Sequence, residues 1–269
     1  MTKIHPTAII DPKAEIADDV EIGPYCTVGP NVKMGSGCRL ISHVVVDGNT
    51  TMGARNTVYP FAAIGTLAQH KRSHVTDAKL VIGDDNTFRE HVTAHVGSEV
   101  DNNITIIGNR NLFLVASHIA HDCILGDDIV MSNNATLAGH VHVDDRAIIG
   151  GLSAVLQFCR IGKGAMIGGM CGIGQDVIPY GIVMGGYRAP LEGLNLVGLR
   201  RAGVENKLIF GLQKAYEDLF INHLDKNFAD RVADLTNNEA YKDNPLVQDV
   251  IRFIQNPSKY NILQPRIGA

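Results

Sequence analysis

The sequence predicts an all-β solenoid, a parallel β-helix of hexapeptide repeats, followed by a small α-helical C-terminal domain. Three observations support this fold class. Aliphatic residues or methionine recur at every sixth position through most of the first 173 residues, glycine often follows them, and the pattern stops near Pro179. Beyond that point, apolar residues recur at the three- and four-residue spacing of an amphipathic helix.

The six-residue pattern runs in two blocks, with a one-residue slip of phase between them. A helix would place apolar residues three and four apart, and an ordinary strand would place them two apart. A period of six therefore indicates short strands joined by turns. The repeat positions are Ile4, Ile10, Ile16, Ile22, Val28, Met34, Leu40, Val46, Met52, Val58 and Ile64, and then Ile107, Phe113, Ile119, Leu125, Met131, Leu137, Val143, Ile149, Val155, Ile161, Ile167 and Ile173.

Three repeats make one coil of eighteen residues, and successive coils are expected to stack about 4.8 Å apart through backbone hydrogen bonds. All five cysteines stand four residues after a repeat position, in a slot otherwise filled by small residues. We therefore expect them to fill inward-facing gaps as free thiols rather than to form a disulfide framework. They are Cys26, Cys38, Cys123, Cys159 and Cys171.

The β-helix domain is predicted to span residues 1–190. Two polar stretches, 66–81 and 96–105, interrupt the repeats and are expected to project as loops from a rigid scaffold, where functional residues often lie. The second domain is predicted to span 191–269. Helical spacing is clear at 204–221 and again after Asn244-Pro245, a typical N-cap and first-turn pair.

Composition excludes several classes of function. The net charge is −4 without a basic run, so we expect no nucleic-acid partner. The beginning of the sequence, MTKIHPTAIIDP, lacks the apolar region of a signal peptide, and no stretch of eighteen apolar residues would insert into a membrane. These features favour a soluble, cytoplasmic protein.

Residues 116–126, ASHIAHDCILG, place two histidines and an acid on one coil. Because residues eighteen apart lie above one another, His121 and Asp122 are expected to stack on Gly139 and His140. A neutral imidazole could take a hydroxyl proton, the carboxylate could orient it, and a glycine N–H could stabilise an oxyanion. The simpler alternative is that these histidines only decorate a solvent-facing surface.

The same region resembles a known family. The strings HIAHDC (118–123), NNATLAGHVHVDD (133–145), AIIGG, QFCRIG and REHVTAH (89–95) closely resemble the bacterial UDP-N-acetylglucosamine O-acyltransferases of lipid A biosynthesis, and the resemblance covers nearly the whole chain. It implies a homotrimer of left-handed β-helices with active sites between subunits. The implied reaction moves a 3-hydroxyacyl chain from acyl carrier protein to the glucosamine 3-hydroxyl. No cofactor is implied beyond the phosphopantetheine of the donor.

The resemblance also implies roles for individual residues. His121 is expected to be the general base, Asp122 its orienting partner and the Gly139 amide the oxyanion donor. Gly169 stands where side-chain bulk would limit acyl length, so its small size favours a long chain, although the neighbouring Met170 weakens that expectation. The remaining expected substrate-contacting residues are Gln69, His70, Arg72, His95, His118, His140, Gln157, Asn195 and Arg201.

Five positions depart from the family pattern. The expected aspartate and lysine of the first loop are His70 and Arg72, and an expected arginine is Val96. An expected histidine is Leu156 and an expected carboxylate is Val197. The catalytic residues are intact, so the reaction type stands, while the acyl chain and the acceptor, UDP-N-acetylglucosamine, its 3-amino analogue or another sugar nucleotide, stay open.

Three alternatives remain. A related hexapeptide transferase would use a coenzyme A thioester as donor. A γ-type carbonic anhydrase would bind zinc through three histidines, for which His118, His121 and His140 could be combined, although their spacing fits the transferase better and predicts no metal. A non-enzymatic solenoid would only bind.

Docking of an acidic acyl carrier protein requires local basic groups. Arg200, Arg201, Lys207 and Lys214 could supply them, or could equally form a solvated helix face.

Overall fold

The computed structural model describes residues 3–73, 77–99 and 102–266. Within them, the N-terminal part is a left-handed parallel β-helix with three flat faces, as the resemblance predicted. The C-terminal part is a group of four α-helices. We refer to the faces as faces 1, 2 and 3 in chain order, and to the turns between them as the 1/2, 2/3 and 3/1 corners.

Most strands are only two residues long, because each hexad must reach the next corner. Face 1 contains Lys3–Ile4, Glu21–Ile22, Arg39–Leu40, Thr57–Val58, Thr87–Phe88, Leu112–Phe113, Val130–Met131, Ile148–Ile149, Met166–Ile167, Gly181–Val183 and Leu191–Leu194. Face 2 contains Ile9–Ile10, Thr27–Val28, Val45–Val46, Ala63–Thr66, Thr93–His95, His118–Ile119, Thr136–Leu137, Ala154–Val155 and Gly172–Ile173. Face 3 contains Glu15–Ile16, Lys33–Met34, Asn49–Met52, Lys79–Ile82, Ile104–Ile107, Ile124–Leu125, His142–Val143 and Arg160–Ile161.

Paired residues are eighteen apart in the regular coils, as in His118 opposite Thr136. The pairing of Thr57 with Thr87 is thirty residues apart, and that of Thr87 with Leu112 is twenty-five. The two loops therefore insert twelve and seven residues. The seven-residue insertion explains the one-residue slip of phase in the sequence pattern.

Both loops contain fewer residues than predicted. The first lies between Thr66 and Lys79, and the second between His95 and Ile104, because the flanking residues extend the strands of faces 2 and 3. The strand Lys79–Ile82 is paired on both sides, and its Leu80 is fully buried, so these residues belong to the scaffold.

The repeat positions form the core, since side chains such as Phe88 and Phe113 are fully buried and stack with ring centroids 5.0 Å apart. The glycine after a repeat position has a steric reason, shown by Gly23. A Cβ there would lie 1.8 Å from the carbonyl oxygen of Ile41 in the next coil. All five cysteines are buried and free, as predicted.

The slot that holds the cysteines also holds an asparagine ladder. Asn56, Asn86 and Asn111 lie above one another and are almost completely buried. The Asn86 N–H donates to Asn56 Oδ1 at 2.9 Å, and the Asn111 N–H donates to Asn86 Oδ1 at 2.9 Å. The Asn86 side-chain amide also donates to the Gly108 carbonyl at 2.9 Å. The ladder therefore links three coils inside the core.

The helical part begins with α1 (Leu196–Arg201) and α2 (Asn206–Phe220). It continues with α3 (Phe228–Asn237), a single 3₁₀ turn (Glu239–Tyr241) and α4 (Pro245–Gln255). Asn244 caps α4 by accepting a hydrogen bond from the Leu246 N–H, as its position before proline predicted. The predicted domain boundary at 190/191 stays a prediction, and at that point the chain runs antiparallel along face 1 before α1.

None of the helices in the described ranges has the length and apolar character needed to cross a bilayer.

Asn86→Ala tests the ladder. We expect it to lower the free energy of unfolding by about 2 to 4 kcal/mol, because it leaves the buried Asn111 N–H without its acceptor. Urea unfolding at a fixed protein concentration measures the loss. The exposed Asn222→Ala should change stability by no more than about 0.5 kcal/mol, and equal effects of the two variants would rule out a special role for the ladder.

Candidate active site

The predicted catalytic residues come together at the 2/3 corner. His121 and Asp122 form the turn between the strands His118–Ile119 and Ile124–Leu125. The His140 N–H of the next coil donates to the His121 carbonyl at 3.0 Å, which fixes the spacing of the two turns. Asp122 has a φ of 59°, a left-handed conformation that aspartate tolerates better than most residues.

His121 and Asp122 form a hydrogen-bonded pair. The His121 Nδ1 lies 2.8 Å from Asp122 Oδ2, Asp122 is fully buried, and His121 is 8% exposed. Because a carboxylate only accepts, the proton of this bond sits on Nδ1 of the neutral ring. The Nε2 nitrogen therefore carries the lone pair with which the ring can act as a base.

The second loop holds the Asp122 carboxylate. The Ser98 N–H donates to Asp122 Oδ2 at 3.0 Å, and the Ile104 N–H donates to Oδ1 at 3.3 Å. In return, the Asp122 N–H donates to the hydroxyl of Thr105 at 2.8 Å. These three contacts were not predicted. The signal in the sequence was the position of the loop, directly before the coil that carries His121 and Asp122.

Gly139 lies against the face of the His121 imidazole. A Cβ on Gly139 would lie 2.6 Å from His121 Cε1 and 2.8 Å from Nε2, closer than any side chain allows. Within residues 3–73, 77–99 and 102–266, the Gly139 N–H donates to no protein acceptor. Glycine is thus required for the close approach, and its amide remains available to a ligand.

Further histidines surround the pair. The ring of His140 meets that of His121 edge-on at 5.2 Å, and its Nε2 lies 3.9 Å from Asp122 Oδ2. His70, from the first loop, meets the His121 ring edge-on at 5.5 Å. The first loop therefore covers the His121 ring, and the Ser73 hydroxyl of this loop donates to Glu99 of the second loop at 2.6 Å.

His118 and His95 extend the site along face 2. His118 Nδ1 lies 2.7 Å from the Thr93 hydroxyl, and burial together with the nearby His121 lowers the pKa of His118. Burial, with the neighbouring His118 and His121, lowers the pKa of His95 to about 4. The buried Nδ1 of His95 has no hydrogen-bond partner among the residues that the structure describes. Both rings are therefore neutral at pH 7, and His95 has an unused polar atom.

Three other predicted site residues are exposed to solvent. Gln157 is exposed and lies one coil beyond Gly139. The N–H of its neighbour Phe158 donates to the Gly139 carbonyl at 3.2 Å. Gln69 and Arg72 are exposed in the first loop, where the Arg72 N–H donates to the His70 ring at 3.3 Å.

Some of the predicted site residues lie far from His121 within one protomer. Gly169 is exposed at the 1/2 corner, three coils further along the axis, a rise of about 14 Å. Asn195 is buried and caps α1, accepting from the Gly198 N–H at 2.9 Å and donating to the Gly164 carbonyl at 3.1 Å. Arg201 is exposed in the last turn of α1. The roles of these three residues stay predictions.

Three positions that depart from the family pattern lie in two different environments. Val96 is 2% exposed, and its Cγ1 would lie 3.1 Å from a Cβ on Gly48, so it belongs to the core. Leu156 and Val197 are instead about half exposed. The arginine expected at 96 is thus replaced by a residue that packs inward, whereas 156 and 197 present apolar side chains to solvent.

Ligand atoms of His121, Asp122 and His140 lie within 4.8 Å of one another, close enough for a metal ion to be considered. However, the Asp122 carboxylate already accepts from the Ser98 and Ile104 amides and contacts His121. The group is therefore satisfied by the protein as a hydrogen-bonded pair. That the site uses no metal stays a prediction.

The low pKa of His95 predicts a pH-dependent stability. Unfolded histidine has a pKa of 6.5 and folded His95 about 4, so only the unfolded chain binds this proton between those values. The contribution is fully present above pH 6.5 and is lost as the pH falls towards 4, by about 3 kcal/mol. Urea unfolding of wild type and His95→Gln across this range measures it, and the variant should lose less stability. Parallel curves for the two proteins would contradict the assignment.

Comparison with known proteins identifies the family of this chain. A family model described as UDP N-acetylglucosamine O-acyltransferase, domain 2, matches residues 176–262, and a bacterial transferase hexapeptide model matches residues 1–36. The acyl-[acyl-carrier-protein]–UDP-N-acetylglucosamine O-acyltransferase of Sinorhizobium fredii is 43% identical over 99% of this chain and 97% of its own. The enzyme of the same name from Thermodesulfovibrio yellowstonii is 46% identical over 95% and 96%.

A solved structure agrees with these relatives. The crystal structure of UDP-N-acetylglucosamine O-acyltransferase from Moraxella catarrhalis superposes with a TM-score of 0.91 at 42% identity, covering 97% of this chain and 99% of that one. The likeness spans both the β-helix and the helical tail. The chain therefore belongs to the acyl-[acyl-carrier-protein]–UDP-N-acetylglucosamine O-acyltransferase family.

Proposed function

We propose that this protein transfers a 3-hydroxyacyl group from acyl carrier protein to the 3-hydroxyl of UDP-N-acetylglucosamine, the first step of lipid A biosynthesis. The observation that carries the proposal is the His121–Asp122 pair packed against the Gly139 amide. The reaction needs no cofactor other than the phosphopantetheine of the donor. A cytoplasmic location follows from the use of acyl carrier protein, and cell fractionation tests it.

The proton transfers of the reaction can be assigned to the His121–Asp122 pair. Nε2 of His121 removes the proton of the sugar 3-hydroxyl while that oxygen attacks the thioester carbonyl. The C–S bond of the tetrahedral intermediate then breaks, and the imidazolium returns its proton to the departing phosphopantetheine sulfur. The ester has formed, a thiol has been released, and the ring is neutral again. General base catalysis of this kind contributes roughly 10²- to 10⁴-fold in rate.

Asp122 supports both halves of this cycle. Its hydrogen bond to Nδ1 keeps the Nε2 lone pair directed outward, and its charge stabilises the transient imidazolium. The Ser98 and Ile104 amides donate to the two carboxylate oxygens and fix the orientation of the group. The geometry of the pair is thus set before substrate binds.

The Gly139 N–H is the proposed donor to the developing oxyanion. It lies beside His121 on the neighbouring coil, so the carbonyl carbon attacked by the sugar oxygen would sit between the two groups. One such donor is worth about 10²- to 10³-fold in rate. His95, with its unpartnered buried Nδ1, is the proposed contact to a polar group of the substrate.

A homotrimer would complete the site. Gly169, Asn195 and Arg201 lie away from His121 within one protomer, whereas a neighbouring protomer could bring its own copies to the 2/3 corner. The 1/2 corner, where Gly169 lies, also presents exposed apolar side chains: Tyr25, Phe61, Leu152 and Met170. Sedimentation tests the assembly, and a mass near 29.0 kDa instead of three times that value would exclude it.

Acyl carrier protein is proposed to dock on the helical part. Arg200, Arg201, Lys207 and Lys214 are exposed, and none of them forms an ion pair within the described residues. Phe210, on α2 between the two lysines, is 67% exposed. This surface offers cations and an apolar contact to an acidic partner. If docking occurs there, Lys207→Glu should raise the KM for the acyl carrier protein substrate, and an unchanged KM would exclude it.

Donor and acceptor specificity are the least constrained features. Leu156 replaces a polar side chain beside Gln157, so the acceptor could be the 3-amino analogue of UDP-N-acetylglucosamine. Gly169 leaves space for a long acyl chain, while Met170 beside it is 69% exposed. An assay across both acceptors, several chain lengths and coenzyme A thioesters separates these possibilities. Preference for a coenzyme A donor would reject the proposed function.

His121→Ala tests the mechanism. We expect kcat to fall by about 10²- to 10⁴-fold, because the variant lacks the imidazole that removes the sugar proton, while the melting temperature stays nearly unchanged. The measurement is acyl transfer from 3-hydroxyacyl carrier protein to UDP-N-acetylglucosamine. His223→Asn, in the tail, is the matched control and should keep wild-type turnover. Turnover retained by His121→Ala would defeat the assignment of the base.

A further inference from the structure

A column of stacked rings leads away from the catalytic pair along the 2/3 corner. The His140 ring meets His121 edge-on, and its face stacks on Phe158 with centroids 4.4 Å apart and planes inclined by 11°. Asp122, His140 and Phe158 have φ values of 59°, 64° and 68°. They therefore occupy equivalent turn positions on three successive coils, and the column is a product of the fold.

A lysine from the C-terminal tail ends this column. The Lys259 Nζ lies 3.6 Å from the centroid of the Phe158 ring. Because His140 already covers one face of Phe158 at stacking distance, the ammonium must lie over the other face. A cation over an aromatic face is held by the negative electrostatic potential of the ring. Lys259 thus caps the rings on the side away from His121.

The tail segment that carries Lys259 is attached at both of its ends. Arg160 donates to the Asn256 carbonyl at 3.2 Å on one side, and the Asp176 N–H donates to the Asn261 carbonyl at 3.1 Å on the other. Arg160 and Asp176 are themselves joined at 2.8 Å, with Asp176 fully buried. These two hydrogen bonds therefore fix the position of Lys259 relative to the coils that carry Phe158 and Asp176.

We infer, on the basis of the proposed function, that Lys259 is a positioning residue of the active site, acting through Phe158 to hold the His140 ring beside Asp122. The ring has two neighbours that depend on its orientation: Asp122 Oδ2, 3.9 Å from its Nε2, and the imidazole of His121. Phe158 fixes the plane of His140, and Lys259 fixes Phe158. The helical tail thereby contributes to the corner at which the reaction takes place.

Lys259→Met tests this role, since methionine keeps the apolar stem and removes the charge. We expect kcat to fall by about three- to ten-fold, with the KM values for both substrates within two-fold of wild type, because the change affects orientation and not binding. Lys259→Arg should restore most of the kcat, since guanidinium also stacks on aromatic faces. Lys242→Met, an exposed lysine between α3 and α4, is the matched control and should behave as wild type.

An NMR measurement supplies a readout that a merely structural role would not change. The ring protons of His140 lie over the face of Phe158, so its ring current should shift them upfield, and Lys259→Met should move them while other histidine signals stay in place. Comparison with His140→Asn assigns the signals. A wild-type kcat in Lys259→Met, or unmoved His140 signals, would overturn the inference. If the wild-type protein transfers no acyl group, the proposed function fails, and the His140 signals alone decide whether Lys259 positions the ring.

Discussion

Hydrogen bonds between successive coils are the constraint on which the rest of this structure depends. Each strand is too short to be stable alone, so its N–H and C=O groups must pair with the coils above and below, and the pairing sets the repeat at eighteen residues. At the 2/3 corner, the bond from the His140 N–H to the His121 carbonyl, 3.0 Å long, is part of the same ladder. The contact between the His121 ring and Gly139 is thus a consequence of coil stacking. The scaffold therefore sets the spacing of these two groups.

The two loops supply what the ladder cannot. Most amides of a regular coil pair with the neighbouring coils. By inserting seven residues, the second loop brings the Ser98 and Ile104 amides to Asp122, which would otherwise be a costly buried charge. The twelve-residue loop brings His70 over His121. Both insertions return to the register of the β-helix, so function was added without breaking the core.

Periodicity explains what the sequence could predict. Position within an eighteen-residue coil determines which side chains share a column, so the grouping of His121, Asp122, Gly139 and His140 followed from counting. The hydrogen bonds from the Ser98 and Ile104 amides to Asp122 depend on the conformation of an irregular loop. The repeat spacing cannot predict that conformation. The cap formed by Asn195 depends on where α1 begins. The helix α3 was missed, although Phe228, Val232 and Leu235 follow helical spacing and pack against the core. The asparagine ladder shares the cysteine slot and could have been found there.

Coil stacking is proposed to hold the His121 ring against the Gly139 amide in a catalytic arrangement, and Gly139→Ala is the sharpest test of this proposal. The added Cβ would lie 2.6 Å from the ring, so the imidazole must leave its place, while the backbone at 139 needs no glycine conformation. We expect kcat/KM for acyl transfer to fall at least about 100-fold, with folding retained. Gly174→Ala, where a Cβ meets nothing within 4 Å, should keep wild-type activity. Activity of Gly139→Ala within two-fold of wild type would show that the contact between the His121 ring and Gly139 is not needed for catalysis.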